Sequence, residues 1–353
     1  MNLLFVDPKS STPYDGQGLR REAVGGTEAS LVTVAEGLAS VHAVAVEQLG
    51  RSRPAEISPG VRYLPLDTPD PFAGEPADAV VILRRIRLAS RYRQRFPDSR
   101  LHVWVHNWQR PEVMLKRAVL ARTRCSVIAV SDALARASDR LINGVPARLL
   151  GTLSGCGSRV PIRRIYNPVD DRLQVEPVPV DHDRMIFFST PNKGLRRVLE
   201  AFLTVQRELP AMQLAIAGSA PEVLEQYVPG CTTRPGIRVL GRLPRDEVLR
   251  HVRESLCVFY PQDEHPETFG LVFAEANAVG TPVLAHDFGA AAEILGDPVQ
   301  LVDARDHAAI VARVVDWRSG GRPRVGGRPD LRRSAVLGEW RRLLEAPVGF
   351  DRP

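Results

Sequence analysis

Two glutamates separated by eight positions lie in the segment HPETFGLVFAEANAVGTPV, residues 265–283. Glu267 precedes an apolar run and Glu275 lies inside it. The spacing predicts a helix of about ten residues, with Thr268 as its N-cap and Gly280 just past its end. Because this helix is apolar nearly all round, it should be buried, and a buried carboxylate needs a partner. That partner is either an internal arginine or a ligand with two vicinal hydroxyls, such as a ribose.

The start of the same helix offers a second kind of chemistry. The backbone N–H groups of Phe269, Gly270 and Leu271 would point at an anion, because the first turn of a helix has no internal acceptors. A phosphate bound there would place a nucleotide ribose on one side and its other substituent on the Glu267 side. The residues therefore describe a nucleotide-sugar site, although an internal ion pair would satisfy Glu275 equally well.

Three other segments place polar or flexible groups directly after apolar runs. Lys193, one of only three lysines, lies in the turn of FFSTPNKGL and could meet a phosphate as a point charge. Gly25 and Gly26 in AVGGTEASL allow a close backbone approach to a ligand, or they form a flexible loop and a helix cap. His106 after LHVWV could contact substrate hydroxyls or move a proton, or it could be a satisfied loop histidine.

The elements that would position these residues alternate along the whole chain. Apolar runs predict strands at 2–6, 42–49, 79–83, 101–105, 125–130, 185–189, 212–218, 237–241, 256–260, 282–286 and 298–303. Helical spacing predicts helices at 27–40, 111–121, 132–142, 194–208, 244–254, 306–317 and 331–346. Residues 167–183 contain three prolines and no periodicity, which indicates an interdomain linker. The pattern predicts an α/β fold of two Rossmann-like, doubly wound domains, whose ligands bind at the carboxyl ends of the strands.

Composition narrows the class of protein further. The 353 residues are 44% hydrophobic, with a net charge of +6. The four cysteines are scattered, no apolar run is long enough to cross a membrane and no leader is recognised, so a cytoplasmic protein is expected. Nucleic acid is not expected as a partner, since no zinc-finger spacing or RNA-binding aromatic motif occurs. The basic run RRIRLASRYRQR (84–95) and the arginines of 318–342 are either solvated faces or peripheral contacts with an acidic membrane surface.

These motifs together resemble a known family. Glu267 and Glu275 match the E-x7-E motif of retaining GT-B glycosyltransferases of the family 4 type, and the similarity extends over residues 266–295. NKGL, LAIAGSAPE and VLGRLPRDEVLRHV resemble further landmarks of the donor domain. GGTE, VHN, IAVSDAL and YNPVD resemble landmarks of the acceptor domain, so the resemblance covers nearly the full chain.

The resemblance implies a GT-B fold in which two domains face each other across a cleft. Residues 1–170, completed by the helix 331–346, would form the acceptor domain, and residues 184–318 the donor domain. It also implies roles for single residues, with the main chain near Arg242 and Leu243 holding the base and Glu275 holding the ribose. The implied catalytic residues are His106, Glu267 and Lys193. The implied donor-binding residues are Gly25, Gly26, Lys193, Leu243, Phe269, Gly270, Leu271 and Glu275.

One feature of the family's pattern is missing from this chain. The family usually pairs the lysine with an arginine five or six residues earlier, where Phe187 and Phe188 stand here. One positive charge on the diphosphate is therefore absent. We hypothesise that Arg20 or Arg21, beside the glycine loop, supplies it.

The expected activity is retaining transfer of a sugar from a nucleoside-diphosphate sugar to a hydroxyl acceptor. UDP is the expected nucleotide, no metal or other cofactor is expected, and the acceptor is either a small molecule such as an aminocyclitol or a lipid-linked saccharide. The alternatives are a catalytically silent nucleotide-sugar-binding protein and a GT-B nucleotide-sugar epimerase. An oxidoreductase is the least favoured, because no GxGxxG follows the first strand.

Overall fold

The computed structural model of the protein describes residues 1–21, 24–57, 60–153 and 155–346, without the side chains of residues 20, 21, 57, 150 and 153. Within them the chain forms two compact units. The first contains Met1–Leu19, Val24–Pro168 and the C-terminal residues from Arg333, and the second is built on Val169–Arg332.

An eight-stranded sheet forms the centre of the first unit. Its strands are β1 (Asn2–Asp7), β2 (Ala43–Gln48), β3 (Ala55–Ile57), β4 (Val61–Pro65), β5 (Ala79–Leu83), β6 (Arg100–Val105), β7 (Cys125–Ala129) and β8 (Ile162–Arg164). Their order is β3-β4-β2-β1-β5-β6-β7-β8, and only the β3–β4 pair is antiparallel. The continuous apolar run of β5 is buried at all five positions, as expected of a parallel strand covered on both faces.

The second unit has a five-stranded sheet that is parallel throughout. Its strands are β9 (Asp181–Phe187), β10 (Gln213–Ala217), β11 (Ile237–Gly241), β12 (Ser255–Tyr260) and β13 (Val283–Ala285), in the order β11-β10-β9-β12-β13. The chain reverses its direction of travel across the sheet at β9, so the carboxyl ends of β9 and β12 flank a topological switch point. Such points are where open α/β sheets bind ligands.

Helices connect these strands. The α-helices are α1 (Gly16–Arg21), α2 (Gly26–Leu38), α3 (Ala89–Arg95), α4 (Arg117–Arg122), α5 (Asp132–Asn143), α6 (Val145–Leu153), α7 (Leu195–Glu208), α8 (Pro221–Tyr227), α9 (Arg245–Arg253), α10 (Leu271–Ala278), α11 (Ala291–Leu295), α12 (His307–Asp316) and α13 (Arg333–Glu345). Short 3-10 helices span Ile86–Leu88, Pro111–Lys116, Pro298–Gln300 and Pro329–Leu331, and a π turn spans Trp317–Gly321. No helix of the described ranges is long and apolar enough to cross a membrane.

The last helix, α13, belongs to the core of the first unit. Its Trp340 is fully buried, and the indole lies edge-on to Phe5 of β1 and Trp104 of β6, with ring centroids 6.0 and 4.8 Å apart. Arg164 of β8 also pairs with Glu339 of α13 at 3.1 Å. The first unit therefore depends on residues more than 200 positions apart in the chain.

Two predicted elements differ from the structure. The strand predicted at 298–303 is reduced to one parallel bridge between Leu301 and Ala285. Pro298–Gln300 form a 3-10 turn instead, because Pro298 has no N–H to pair and the Asp297 side chain accepts from Val299 N at 3.0 Å. The Gln300 side chain instead accepts from the backbone N–H of Val283 at 2.8 Å and satisfies the sheet edge. The segment 111–121 begins as a 3-10 helix and becomes α-helical only in α4.

The segment 167–183 is not a free linker. Val169 forms a bridge with Arg332, and the Arg332 guanidinium donates to the carbonyls of Asp171 and Leu173 at 3.1 and 2.5 Å. From Val169 onward these residues pack as part of the second unit, and β9 begins within the segment. Its prolines and lack of periodicity therefore indicate an irregular but bound stretch.

Three of the six arginines of the 84–95 run make internal contacts, while Arg85, Arg87 and Arg91 are exposed. Arg84 pairs with Asp7 and Glu28 at 3.0 Å each, and Arg95 pairs with Glu47 at 2.8 Å. Arg93 donates to the carbonyls of Thr123 and Ser99 at 2.8 and 2.9 Å. These three side chains therefore belong neither to a solvated face nor to a membrane contact, because their charges are used in internal contacts of the first unit.

Candidate functional site

The helix that carries Glu275 begins later than its sequence suggests. α10 starts at Leu271, and Gly270 is its N-cap in a left-handed conformation (φ 85°, ψ 64°). A Cβ at Gly270 would lie 2.5 Å from the Phe273 ring, so only glycine fits the cap. The prediction of Thr268 as the N-cap is therefore wrong, since it lies two residues before Gly270. No side chain of the described residues caps α10 at Gly270. The Phe273 N–H already donates to the Gly270 carbonyl at 2.9 Å, so the N–H groups of Leu271 and Val272 are the ones that a ligand or water would meet.

Glu267 lies directly before this helix start and is 5% exposed. Both of its carboxylate oxygens are 2.9 Å from Lys193 Nζ, and the Tyr260 hydroxyl donates to Oε1 at 2.8 Å. Burial and the negative charge of Glu267 raise the pKa of Tyr260 well above its ordinary value, so this hydroxyl keeps its proton. The structure thus brings Lys193 and Glu267, 74 positions apart, into one ion pair at the carboxyl end of β12.

Gln262 shapes the loop that leads to Glu267. Its side-chain oxygen accepts from the backbone N–H groups of Glu264 and His265 at 2.9 and 2.8 Å, and its amide donates to the His265 carbonyl at 2.7 Å. The same side chain lies against Gly194 at the start of α7, where a Cβ would come within 2.7 Å of it. One glutamine therefore sets the distance between the Lys193 turn and the Glu267 loop.

Glu275 is buried inside α10, 5% exposed, and forms an ion pair with Arg245 at the start of α9. Its other oxygen, Oε2, is buried and accepts no hydrogen bond from any residue that the structure describes. Burial lowers the pKa of the Arg245 guanidinium to about 10, so it is still charged at neutral pH. Of the two partners expected for Glu275, the internal arginine is present as an ion pair, yet Arg245 Nη2 and Glu275 Oε2 both lack a hydrogen-bond partner among the described residues.

Gly289 fixes the backbone of Glu267. The two residues form a bridge, Ala290 N donates to the Glu267 carbonyl at 2.9 Å, and a Cβ at Gly289 would lie 2.4 Å from that carbonyl oxygen. Gly296 has the same φ of 72°, but no atom of the described residues lies within 4 Å of the position of its Cβ.

We expect Gly289→Ala to destabilise the protein more than Gly296→Ala. Gly296→Ala should lower the free energy of unfolding by about 1–2 kcal/mol, the cost of a left-handed alanine. Gly289→Ala should cost about 1–3 kcal/mol more, since overpacking adds to the backbone strain. Urea unfolding of the two variants measures the difference. Equal losses would show that the contact between Gly289 and Glu267 carries no strain.

The predicted residues of the first unit lie at the carboxyl edge of its sheet. Gly25 is the N-cap of α2 and Gly26 its first residue, while His106 directly follows β6. Burial, together with the positive charge of Arg84, lowers the pKa of His106 to about 3. The imidazole is therefore neutral at pH 7, which suits hydrogen bonding to a hydroxyl better than donation of a proton.

The other residues predicted to bind the donor lie at the ends of strands and helices of the second unit or outside the described side chains. Leu243, with Arg242, lies in the turn between β11 and α9, and Phe269 is buried directly before the Gly270 cap. The side chains of Arg20 and Arg21 lie outside the described residues. Phe187 is buried and stacks on Tyr260 with ring centroids 5.4 Å apart, so an aromatic pair occupies the strand end from which an arginine was expected.

Sequence reasoning missed four residues of this site: Tyr260, Gln262, Arg245 and Gly289. Tyr260 carries a weak signal, a hydroxyl at the end of the buried run LCVFY. The other three carry none, because their roles depend on backbone contacts or on a neighbouring helix that the sequence does not identify.

Comparisons with known proteins relate part of the chain to glycosyl transferases. Residues 183–324 match the family model described as glycosyl transferases group 1. The chain is 33% identical over 131 residues to a phosphatidyl-myo-inositol mannosyltransferase of Mycobacterium leprae, covering 36% of this chain and 34% of that protein. It is 32% identical over 130 residues to the O-antigen chain mannosyltransferase B of Escherichia coli, covering 35% and 33% respectively. The similarity thus spans about a third of these relatives' length.

Solved structures resemble the whole chain. AviGT4, a glycosyltransferase involved in avilamycin A biosynthesis, is 16% identical, with a TM-score of 0.58 and 98% of each chain covered. The α,α-trehalose 6-phosphate synthase of Burkholderia multivorans is 13% identical, with a TM-score of 0.61 over 98% of this chain and 96% of that one. At such identities the likeness shows the fold alone. The protein therefore has a GT-B fold, and its residues 183–324 are similar to group 1 glycosyl transferases.

Proposed function

We propose that the protein transfers a sugar from a nucleoside-diphosphate sugar to a hydroxyl acceptor. The observation that carries this proposal is the Glu275 carboxylate, whose Oε2 has no hydrogen-bond partner among the described residues. Glu275 lies one turn beyond the start of α10, which has no side-chain cap within the described ranges. The Lys193–Glu267 pair lies just before that helix start. A ribose diol would satisfy Glu275, the first-turn N–H groups would face the diphosphate, and Glu267 would contact the sugar.

We infer that the reaction retains the anomeric configuration and needs no metal. The bond between the anomeric carbon and the diphosphate oxygen breaks, a bond to the acceptor oxygen forms on the same face, and the acceptor proton passes to the departing phosphate. Catalysis then depends on stabilising charge on the diphosphate by Lys193 and the helix N-terminus. Equal rates with and without EDTA would support the metal-free reaction.

The other predicted roles remain predictions. Leu243 and Phe269 would contact the donor through their backbone, Gly25 and Gly26 would approach its diphosphate, and His106 would hydrogen-bond a hydroxyl. Several relatives are named mannosyltransferases, three of them dependent on GDP-mannose. A donor panel should therefore contain GDP-mannose beside the expected UDP-sugars.

Two acceptor chemistries follow from the names of the relatives. One relative of Geodermatophilus obscurus is named a D-inositol 3-phosphate glycosyltransferase, and others act on phosphatidylinositol derivatives by name. Small polyols such as inositols and aminocyclitols, and lipid-linked saccharides, are accordingly the acceptors to test. A lipid acceptor would require contact with a membrane surface from the cytoplasmic side, and vesicle co-sedimentation would detect it.

Thermal shift with the donor panel tests the binding site. A true donor at 100 times its dissociation constant should raise the stability by about 2.7 kcal/mol. Glu275→Ala should lose this response, and Glu275→Gln should keep the fold with a weakened response. An unchanged response in both variants would make Glu275 purely structural and remove the ribose assignment. NAD serves as a negative control against an oxidoreductase.

Product analysis separates transfer from its two alternatives. The absence of a basic residue from 187–192 favours a silent binding protein as the second candidate. Such a protein would bind a donor yet form no product with any acceptor, whereas an epimerase would rearrange the donor alone. A glycosylated acceptor with the donor's anomeric configuration establishes the proposed reaction.

A further inference from the structure

We propose that Arg245 is the diphosphate-binding arginine of this site and that it changes partners when the donor binds. In the unliganded protein it neutralises Glu275, and in the complex it would contact the phosphates. This inference rests on the proposed function. Arg245 would supply the positive charge that is missing from the strand end before Lys193.

The charges around α10 cancel in pairs without a ligand. Lys193 is held by both oxygens of Glu267, and Arg245 is held by Glu275. A nucleoside-diphosphate ester brings about two negative charges to this region at neutral pH, and the buried aromatic side chains of Phe187 and Phe188 offer none to balance them. A second cation must therefore come from elsewhere, because an uncompensated anion in a partly desolvated site is strongly disfavoured.

The exchange requires Arg245 to move from Glu275 toward the N-terminus of α10. Glu275 lies four residues beyond Leu271, which is about 6 Å along the axis of α10. The tip of the Arg245 side chain is buried against Glu275, while the side chain as a whole is 39% exposed. Rotation of this partly exposed stem is the movement that the proposed exchange requires.

The unsatisfied oxygen of Glu275 explains why the exchange would occur. Arg245 forms an ion pair with Oε1, but neither its Nη2 nor Glu275 Oε2 has a hydrogen-bond partner among the described residues. A ribose diol can donate one hydroxyl to each oxygen, so it satisfies Glu275 more completely than the arginine does. The released guanidinium then has a bidentate partner in the diphosphate, the anion geometry that arginine binds best.

Calorimetric titration with a nucleoside, its monophosphate and its diphosphate tests the exchange. We expect Arg245→Met to weaken binding of the diphosphate by about 10- to 100-fold, the range for a lost charge-assisted contact. Binding of the nucleoside should stay equal or become tighter, because its competitor for Glu275 is gone. The diphosphate affinity of Arg245→Lys should lie between those of the wild type and Arg245→Met. Arg250→Met, on the exposed face of the same helix, is the matched control and should bind all three compounds like the wild type.

Three results would overturn the proposal. Equal diphosphate affinity in wild type and Arg245→Met means that Arg245 does not contact the phosphates. Equal loss of nucleoside and diphosphate binding, with an intact circular dichroism spectrum, means that Arg245 acts only by positioning Glu275. Tighter binding of both the nucleoside and the diphosphate by Arg245→Met means that Arg245 only blocks the ribose site. If the wild type binds no nucleoside diphosphate at all, the proposed function fails together with this inference.

Discussion

Glu267→Gln is expected to lower the rate of sugar transfer by about 10²–10³-fold, the range seen when one preorganised electrostatic contact of a transition state is removed. The amide keeps the shape of the side chain but removes the charge that orients Lys193 Nζ, 2.9 Å from both oxygens. It also leaves the Tyr260 hydroxyl, which donates to Oε1, with a weaker acceptor. Steady-state kinetics with the donor identified by thermal shift would measure the loss.

Glu264→Gln is the matched control for this variant. Glu264 lies in the same loop and pairs with Arg196 at 2.5 Å, but that partner is an exposed residue of α7. The Glu264→Gln variant should transfer sugar at a rate within about threefold of the wild type, since exposed ion pairs contribute little. Activity of Glu267→Gln close to that of the control would show that Glu267 is not part of the catalytic site.

Trp340→Ala should lower the free energy of unfolding by about 3–5 kcal/mol, as large-to-small replacements of buried aromatics do. Trp340 is fully buried on α13 and contacts the aromatic rings of Phe5 and Trp104 on two strands of the first sheet. The cavity would lie where the C-terminal helix packs on the N-terminal sheet. Urea unfolding followed by circular dichroism gives the value.

Arg342→Ala on the exposed face of α13 should change stability by no more than about 0.5 kcal/mol. If Trp340→Ala costs as little as this control, α13 does not contribute to the core of the first unit. A large loss confined to Trp340→Ala would show that the last helix is needed to complete a domain that begins at the N-terminus.

Most strands and helices could be predicted from the sequence because their patterns are local. The apolar run 79–83 is β5 to the residue, and the helical spacing of 132–142 and 194–208 corresponds to α5 and α7. The start of α10 could not be predicted in this way. A threonine that commonly caps helices precedes it, but the left-handed Gly270 and the Phe273 ring determine where the helix begins.

For the candidate site, the pair of glutamates, the buried setting of Glu275 and the lysine turn could all be predicted from the sequence. These follow from residue type and from periodicity over short spans. The sequence also predicts that Glu275 needs a partner, because burial of an unpaired carboxylate is costly in any fold.

The partners of those carboxylates depend on the tertiary structure. Lys193 reaches Glu267 because β9 and β12 are neighbours in the sheet, and Arg245 reaches Glu275 because α9 packs beside α10. Gly289 restrains Glu267 from a third segment. Contacts of this kind depend on the packing of segments distant in sequence, whereas the patterns of a single segment report only its own conformation and burial.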